Sequence, residues 1–373
     1  MRLRRGLRVL PRGPGEVQVG TDPRWAVRVT DLTDDEVAAL LALPPGVSLG
    51  ALAGDDRLSP TRLSALIKDL DEARLLEPRD RSRALTGPRE ADAAVLGLIL
   101  PDGDGTAVVA ARARRAVGVV GLGPTGLGVA GVLAAGGVGV LRLEDARPVR
   151  SSDIGPSGYR WADVGGTRAE VAARLVAEIA PEVAAAPVLE GDEGARVDLL
   201  VVVAERALDP TITAALLSVG TPHLLVLVRE ADTVVGPLVV PGDGPCARCL
   251  DLHRTDADPH WPAVATALAA AGPAGRPPTG EVAPPAEPHA VAAVAAGIAG
   301  SAALAALDAI TPAASADDVR GATPTRPYRP LRGTTLEIAL PDARPHERRW
   351  AAHPSCGCAA LRPAAAQPSG LPA

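Results

Sequence analysis

The stretch VGVVGLGPTGLGVAGVLAAGGVGVLRLEDARPV, Val117 to Val149, decides the fold. An apolar, β-branched run ends at Gly121-Leu122-Gly123-Pro124-Thr125-Gly126, a helical segment of small residues follows, and a second apolar run closes on Glu144 and Asp145. Glycines in G-x-G-x-x-G spacing between a strand and a helix form a turn that holds a nucleotide phosphate. The first permits the tight turn, the second lets backbone approach the phosphate, and the third packs helix against strand. The helix N-terminus adds a field that favours the anion. Asp145, at the end of the second strand, is placed to accept from a ribose hydroxyl. The motif alone does not distinguish NAD, FAD or ATP, and a glycine turn that merely joins strand to helix is the plainer alternative.

Downstream, residues 138–143, 197–204 and 222–228 read as further apolar strands, separated by helices over 167–180 and near Thr211 to Leu217. Continuous β-branched strands alternating with helices predict a parallel sheet buried on both faces, an α/β fold of Rossmann-like, doubly wound, mainly parallel architecture. Before it stands a smaller unit. Short alternating strands at 16–20 and 25–29 flank the turn residues Gly20 to Pro23. One helix begins at Thr33 with Glu36 three positions on, a reciprocal capping pair. Another begins at Ser59 with Pro60 at its first position and leucines along one face. This order predicts a small N-terminal winged-helix domain. The expected organisation is a winged helix over 1–80, an Arg-rich connector over 81–115, a nucleotide-binding domain with a metal site over 116–360, and a flexible tail over 361–373.

The 373 residues and 47% hydrophobic content allow two domains and a sizeable core. A formal net charge of −6 argues against a nucleic-acid binder coated in basic charge, while leaving room for a local basic face. The basic opening MRLRRGLRVLPRG has its apolar run broken by Arg8 and Pro11 before a signal-peptide core can form, so a cytoplasmic protein is expected. Residues 290–310 are apolar over nearly the length of a bilayer span. Their alanines and glycines gain little from lipid and the run stops at Asp308, which predicts a buried helix and no membrane contact. The same small residues would pack a homodimer or simply a helix on the sheet. The Pro/Gly-rich segment 271–288 is a crossover, a lid or a disordered loop.

All four cysteines lie in close pairs, C-x-x-C at Cys246 and Cys249 and C-x-C at Cys356 and Cys358. Each pair offers two thiolates to one edge of a metal, and a tetrahedral all-thiolate set suits a structural zinc. The alternatives are disulfides, disfavoured in a reducing cytosol, or a redox centre. His353 is read as a supporting residue rather than a ligand.

The glycine turn, the strand ending in Asp145 and the paired cysteines together resemble the ThiF/MoeB/E1-like adenylyltransferase family, over about Val117 to Cys358. Members use ATP to activate the C-terminal carboxylate of a ubiquitin-like protein or a peptide as its acyl-adenylate. The resemblance implies a nucleotide-binding set of Gly121, Gly123, Gly126 and Asp145, ATP with Mg²⁺ as cofactor, and a structural Zn²⁺ on Cys246, Cys249, Cys356 and Cys358. It implies catalytic roles for Arg168, standing where the family has a nucleotide-binding lysine, and for Glu205, which aligns with a Mg²⁺-holding aspartate. A carboxylate that simply starts a helix is the other reading of Glu205. The chain departs from the pattern at Arg147, where a second Asp is usual, and at Pro156, which replaces a phosphate-clamping arginine. Lys68 is the only lysine, so none substitutes for the missing one. Arginine keeps the charge but not the ammonium geometry. With all four cysteines assigned to the metal, none is left to carry a thioester.

The N-terminal unit resembles the precursor-recognition winged helix of peptide-modifying systems, as in the cyclodehydratase partner proteins of azole-forming clusters. Such a unit binds a leader peptide as an added strand. Two functions are therefore expected. The first is an ATP-dependent adenylyltransferase acting on a ubiquitin-like or sulfur-carrier protein or a peptide. The alternative is a catalytically degenerate scaffold that binds a ribosomal peptide precursor and recruits a partner cyclodehydratase.

Overall fold

The structure, a computed structural model, describes residues 1–23, 26–44, 46–77, 85–100, 102–188, 196–270, 287–310 and 331–361. Trp25, part of the Arg-rich connector, nearly all of the loop over 271–288 and the tail from 362 lie outside these residues. The chain divides into two compact units, Met1–Ala111 and Arg112–Ala373.

In the first unit, β1 (Val9–Gly13), β2 (Glu16–Val19) and β3 (Val27–Val29) form an antiparallel sheet in the order β1-β2-β3. The first of these strands was not expected. It contains Pro11 and Arg12, and its place at an edge removes the need for a full ladder of donors. Helix α1 (Asp34–Leu41) starts with the capping pair foreseen: the Thr33 N–H donates to Glu36 Oε2 at 2.9 Å and the Glu36 N–H to Thr33 Oγ1 at 3.2 Å. Helix α2 (Pro60–Glu72) is capped by Ser59, and its Leu63, Leu66 and Leu70 share one apolar cluster with Val17, Val19 and Leu40. Two helices, α3 (Arg89–Ile99) and α4 (Gly105–Arg112), occupy much of the stretch assigned to a connector. Buried Arg4 ties the end of α3 to the segment after α2 by donating to the carbonyls of Leu76, Gly97 and Leu100 at 3.2, 2.9 and 2.8 Å.

The second unit begins with β4 (Ala116–Val120), α5 (Pro124–Ala135), β5 (Val140–Glu144), α6 (Arg168–Ile179) and β6 (Ala184–Pro187). It continues through β7 (Leu199–Glu205), α7 (Pro210–Ser218), β8 (His223–Val228) and β9 (Asp232–Val239). Helices α8 (Ala247–Ala257), α9 (Trp261–Ala270) and α10 (His289–Ile310) precede β10 (Thr334–Ala339) and β11 (Pro345–Arg349). Among the described residues these strands make one sheet in the order β11-β10-β9-β8-β7-β4-β5-β6. The run from β8 to β6 is parallel and β9 to β11 pair antiparallel, so the mainly parallel α/β architecture read from the sequence is observed. The strand order reverses between β4 and β7, and the crevice at such a switch point is where open α/β sheets bind ligands.

Alternation along the strands loads both faces. Val117, Val119, Leu143 and Val201 join α5, α6 and α10 in the main core, whereas Val202 and Leu225 meet Leu216 of α7 and Cys249 of α8 on the other side. Helix α10 is long and apolar enough to cross a membrane by length and composition, but its small residues are used to approach α5 closely. A Cβ on Gly128 would lie 2.7 Å from the Ala296 side chain, and one on Gly300 would lie 2.5 Å from Val132. Contacts four residues apart on both helices are the i±4 ridges of close helix packing.

Arg112, 4% exposed, locks α10 at its end: its Nε and Nη2 each lie 2.8 Å from the Asp308 carboxylate, and its Nη1 donates to Gly136 O at 2.9 Å. Substituting Asp308→Ala takes the carboxylate from this buried cation, and a loss of about 3–5 kcal/mol is expected. The check is a urea midpoint, and an unchanged midpoint contradicts this account of the helix anchor.

Candidate functional site

The β4–α5 turn uses its glycines unequally. Gly121 has φ +82°, and a Cβ there would lie 2.0 Å from Val203 O on β7. A Cβ on Gly126 would lie 1.9 Å from Gly121 O. The chain's own packing therefore demands both. Gly123, the N-cap of α5, differs, because the nearest atom to its Cβ position is Arg168 Nη1 at 4.0 Å. No close contact requires glycine there, and the open space lies before a helix N-terminus, where anions are favoured. The buried Tyr159 hydroxyl braces the turn by donating to Leu122 O at 2.7 Å.

Asp145 follows β5 and sits directly beside this turn, its Oδ2 accepting the Leu122 N–H at 2.8 Å. Arg147 folds back on it as a two-pronged partner, Nε to Oδ1 at 2.8 Å and Nη2 to Oδ2 at 2.9 Å, and also donates its own N–H to Oδ1 at 3.0 Å. Arg168, the first residue of α6, adds Nη1 to Oδ2 at 3.2 Å. Burial works against a charge on Asp145, but the two guanidiniums and the Leu122 N–H outweigh it and hold the carboxyl below its ordinary value.

Arg168 is itself 1% exposed and donates Nε and Nη2 to Asp153 at 3.0 and 2.6 Å. Glu205, at the end of β7, receives Arg147 Nη1 on Oε1 at 2.8 Å, with Arg168 Nη1 at 3.8 Å and Arg150 Nη2 at 3.9 Å from the same oxygen. The structure thus gathers Gly121, Gly123, Gly126, Asp145, Arg168 and Glu205 at one place. The cavity left between them is about 20 Å³, room for roughly one water molecule.

Four participants were not assigned from the sequence. Arg147 was noted only as a departure, and Arg150 and Asp153 passed unremarked. Glu287 lies at the end of the Pro/Gly-rich segment, with nothing local to signal a role. It is 8% exposed, accepts the Thr125 N–H on Oε2 at 3.0 Å and also takes the Thr125 and Thr233 hydroxyls, so a carboxylate caps α5. Burial pushes the Glu287 carboxyl up from its ordinary value despite these bonds. Pro156 is exposed and does not line the cavity, whereas Arg150 does.

The four cysteines converge at the N-terminus of α8. Cys246 Sγ lies 3.8 Å from Cys249 Sγ and 3.7 Å from Cys356 Sγ, and Cys249 Sγ lies 3.4 Å from Cys358 Sγ. A tetrahedron with metal–sulfur bonds of about 2.3 Å has edges of roughly 3.8 Å, so the set can hold one Zn²⁺. The separations are far beyond a disulfide bond of about 2.05 Å. The His353 ring does not face the thiols, because Nε2 lies 2.9 Å from Asp256 Oδ2 and Nδ1 accepts the Ser355 N–H at 3.1 Å.

A mostly parallel sheet with a glycine turn at its switch point, an acidic residue beside the turn and a four-cysteine cluster describe an E1-like α/β protein. The chain belongs to the ThiF family, whose model matches residues 105–358. Its fold is similar to that of E. coli MccB with ATP, at a TM-score of 0.65 and 17% identity, covering 96% of this chain and 99% of that one. The microcin C7 biosynthetic enzyme MccB in complex with N-formylated MccA is similar at a TM-score of 0.64 and 16% identity, covering 96% and 99%. PaaA is similar at 0.63 and 17%, covering 92% and 98%. No curated protein matches the sequence significantly.

The unequal glycines are directly testable by denaturant unfolding. Gly121→Ala should cost more than about 1–3 kcal/mol, since strain and collision combine, while Gly123→Ala should stay within about 1 kcal/mol of the parent. Equal losses contradict the open space at Gly123. The Asp145 pairing also sets a pH dependence. Its folded-state pKa is lowered, so the stability it contributes is present above the unfolded carboxylate value and is lost as pH falls through the folded value. The parent's advantage over Asp145→Asn should therefore shrink in acid, and an advantage that is constant across the carboxylate range refutes the pairing.

Proposed function

We propose that this chain is an ATP-dependent adenylyltransferase that activates the C-terminal carboxylate of a peptide or of a ubiquitin-like or sulfur-carrier protein. The open space at Gly123 carries the reading. It fronts the α5 N-terminus, and Arg150 and Arg168 line the same small cavity beside the carboxylates of Asp153, Glu205 and Glu287, so phosphate oxygens there meet a turn and two guanidiniums. MccB, whose fold the chain shares, is seen with ATP and with MccA, which supports a nucleotide and a partner on one such fold.

In this reading Gly121, Gly123 and Gly126 form the phosphate turn and Asp145 takes the ribose once Arg147 releases it. Arg150 and Arg168 offset phosphate charge as the substrate carboxylate attacks the α-phosphorus, the α–β phosphoanhydride bond breaks and pyrophosphate leaves. The surroundings of Glu205 do not fit a divalent cation, because three guanidiniums crowd its Oε1 at 2.8 to 3.9 Å. No step is assigned to Mg²⁺, and Glu205 is proposed to keep those arginines convergent. The cysteine cluster fits a structural Zn²⁺ that would tie Cys356 and Cys358 to α8. Residues 1–80 are proposed as a winged helix that adds a peptide strand at a sheet edge, joined through 81–115 to the domain over 116–360 and the tail over 361–373. The protein is placed in the cytoplasm, where its thiols stay reduced.

A second reading rests on a different observation. Asp145 already receives five donors, and the cavity beside it measures about 20 Å³. If Arg147 never releases, the chain is the degenerate scaffold that binds a ribosomal peptide precursor for a cyclodehydratase. Calorimetric titration with ATP separates the two. The enzyme reading expects binding that tightens by about tenfold in Arg147→Ala, the worth of one charged hydrogen-bonded pair. Absence of ATP binding in both proteins selects the scaffold.

A further inference from the structure

Glu205 and Arg206 are chain neighbours that line different cavities. Glu205 borders the small one at the glycine turn. Arg206 borders a larger one, about 650 Å³, enclosed by β8, β9, α8 and α9. That volume lies within the range of pockets that bury small organic ligands, about 300–1,000 Å³. Its floor is apolar, built from Leu225, Leu227, Val234 and Leu250, with Trp261 and Leu268 opposite.

The charged groups on its wall are mostly committed to one another. Arg229 is held by Asp232, Nε to Oδ1 at 2.7 Å. Arg254 donates to Asp251 at 3.1 Å and lies over the Trp261 ring at 5.0 Å, and Asp251 also takes the Trp261 indole N–H at 3.2 Å. Glu230 is exposed at the rim. Among the described residues the Arg206 side chain has no such partner. Its backbone is also unusual, with φ +68° and a tight three-residue turn closed by the Ala207 N–H on Glu205 O at 2.8 Å. Glycine takes this conformation freely and arginine does not. A strained residue that sets an unpaired cation at the wall of an apolar cavity is a feature that points to a ligand.

We propose that this cavity is a second binding site, distinct from the glycine turn, for a carboxylate carried on an apolar body. Arg206 takes the carboxylate through its two-pronged guanidinium, and the leucine and valine floor takes the body. A free organic acid and the apolar C-terminal residue of a peptide share this chemistry. The site stands whether or not the glycine turn takes ATP.

The test is a fluorescence titration of the full chain with dansyl-leucine, which has an apolar body and a free carboxylate, against the neutral dansyl-leucinamide. The acid should bind saturably and at least about tenfold more tightly than the amide, as one charge-assisted pair implies. Arg206→Gly removes the guanidinium and relaxes the turn, so it should fold at least as well and lose that preference. Arg206→Lys should recover part of it. Displacement by decanoate assigns a free acid, and displacement only by a leucine-ended peptide assigns a chain end. The proposal is overturned by no saturable binding, by equal binding of acid and amide, by a preference that survives Arg206→Gly, or by displacement with neither competitor.

Discussion

The Asp145 carboxylate, buried beside the β4–α5 turn and bonded to Leu122, Arg147 and Arg168, is the contact on which the glycine-turn edge of the second unit depends. It joins the ends of β4 and β5 to the start of α6, and through Arg147 it reaches Glu205 at the end of β7. A carboxylate in such a place costs heavily to desolvate and is tolerable only when its charge is met in full. The same completeness makes the cluster a closed knot. A ligand that needs Asp145 must first displace a partner from it, and Arg147, which supplies three of its five hydrogen bonds, is the partner proposed to move.

Around that knot the fold is fixed by packing that leaves little slack. Gly128 against Ala296 and Gly300 against Val132 bring α5 and α10 together closely, so the helix behind the turn cannot retreat without losing the contact. Glu287 then reaches from just before α10 to the N-terminus of α5, where its carboxylate accepts the Thr125 N–H beside the open space at Gly123. The turn, the capping glutamate and the arginines therefore form one electrostatic unit, drawn from segments as much as 162 residues apart in the chain.

What was legible in the sequence follows from this distinction between local and distant causes. The strand–glycine–helix pattern at Val117, the Thr33 and Glu36 capping pair, and the close cysteine pairs are short-range signals, and the elements or clusters they imply stand in the structure. The edge strands β1, β6 and β11 were missed because an edge needs neither a full donor ladder nor an apolar face: β6 reads AAAP and β11 reads PHERR. Residues 290–310 left self-association and internal packing open, and only the partner residues on α5 show which small side chains face that helix. Arg147, Asp153 and Glu287 were illegible for a plainer reason, since each matters through a partner whose position the chain's topology alone sets.

The central claim, that the Gly121–Gly126 turn is a nucleotide site gated by Arg147, is tested most directly by a crystal structure of the full chain grown with the non-hydrolysable analogue AMPCPP. The account predicts the analogue at the turn, its phosphates before Gly123, its ribose hydroxyls on Asp145 and the Arg147 guanidinium moved off that carboxylate. Crystals grown at saturating analogue that show Arg147 still seated on Asp145 and no nucleotide at the turn would contradict it.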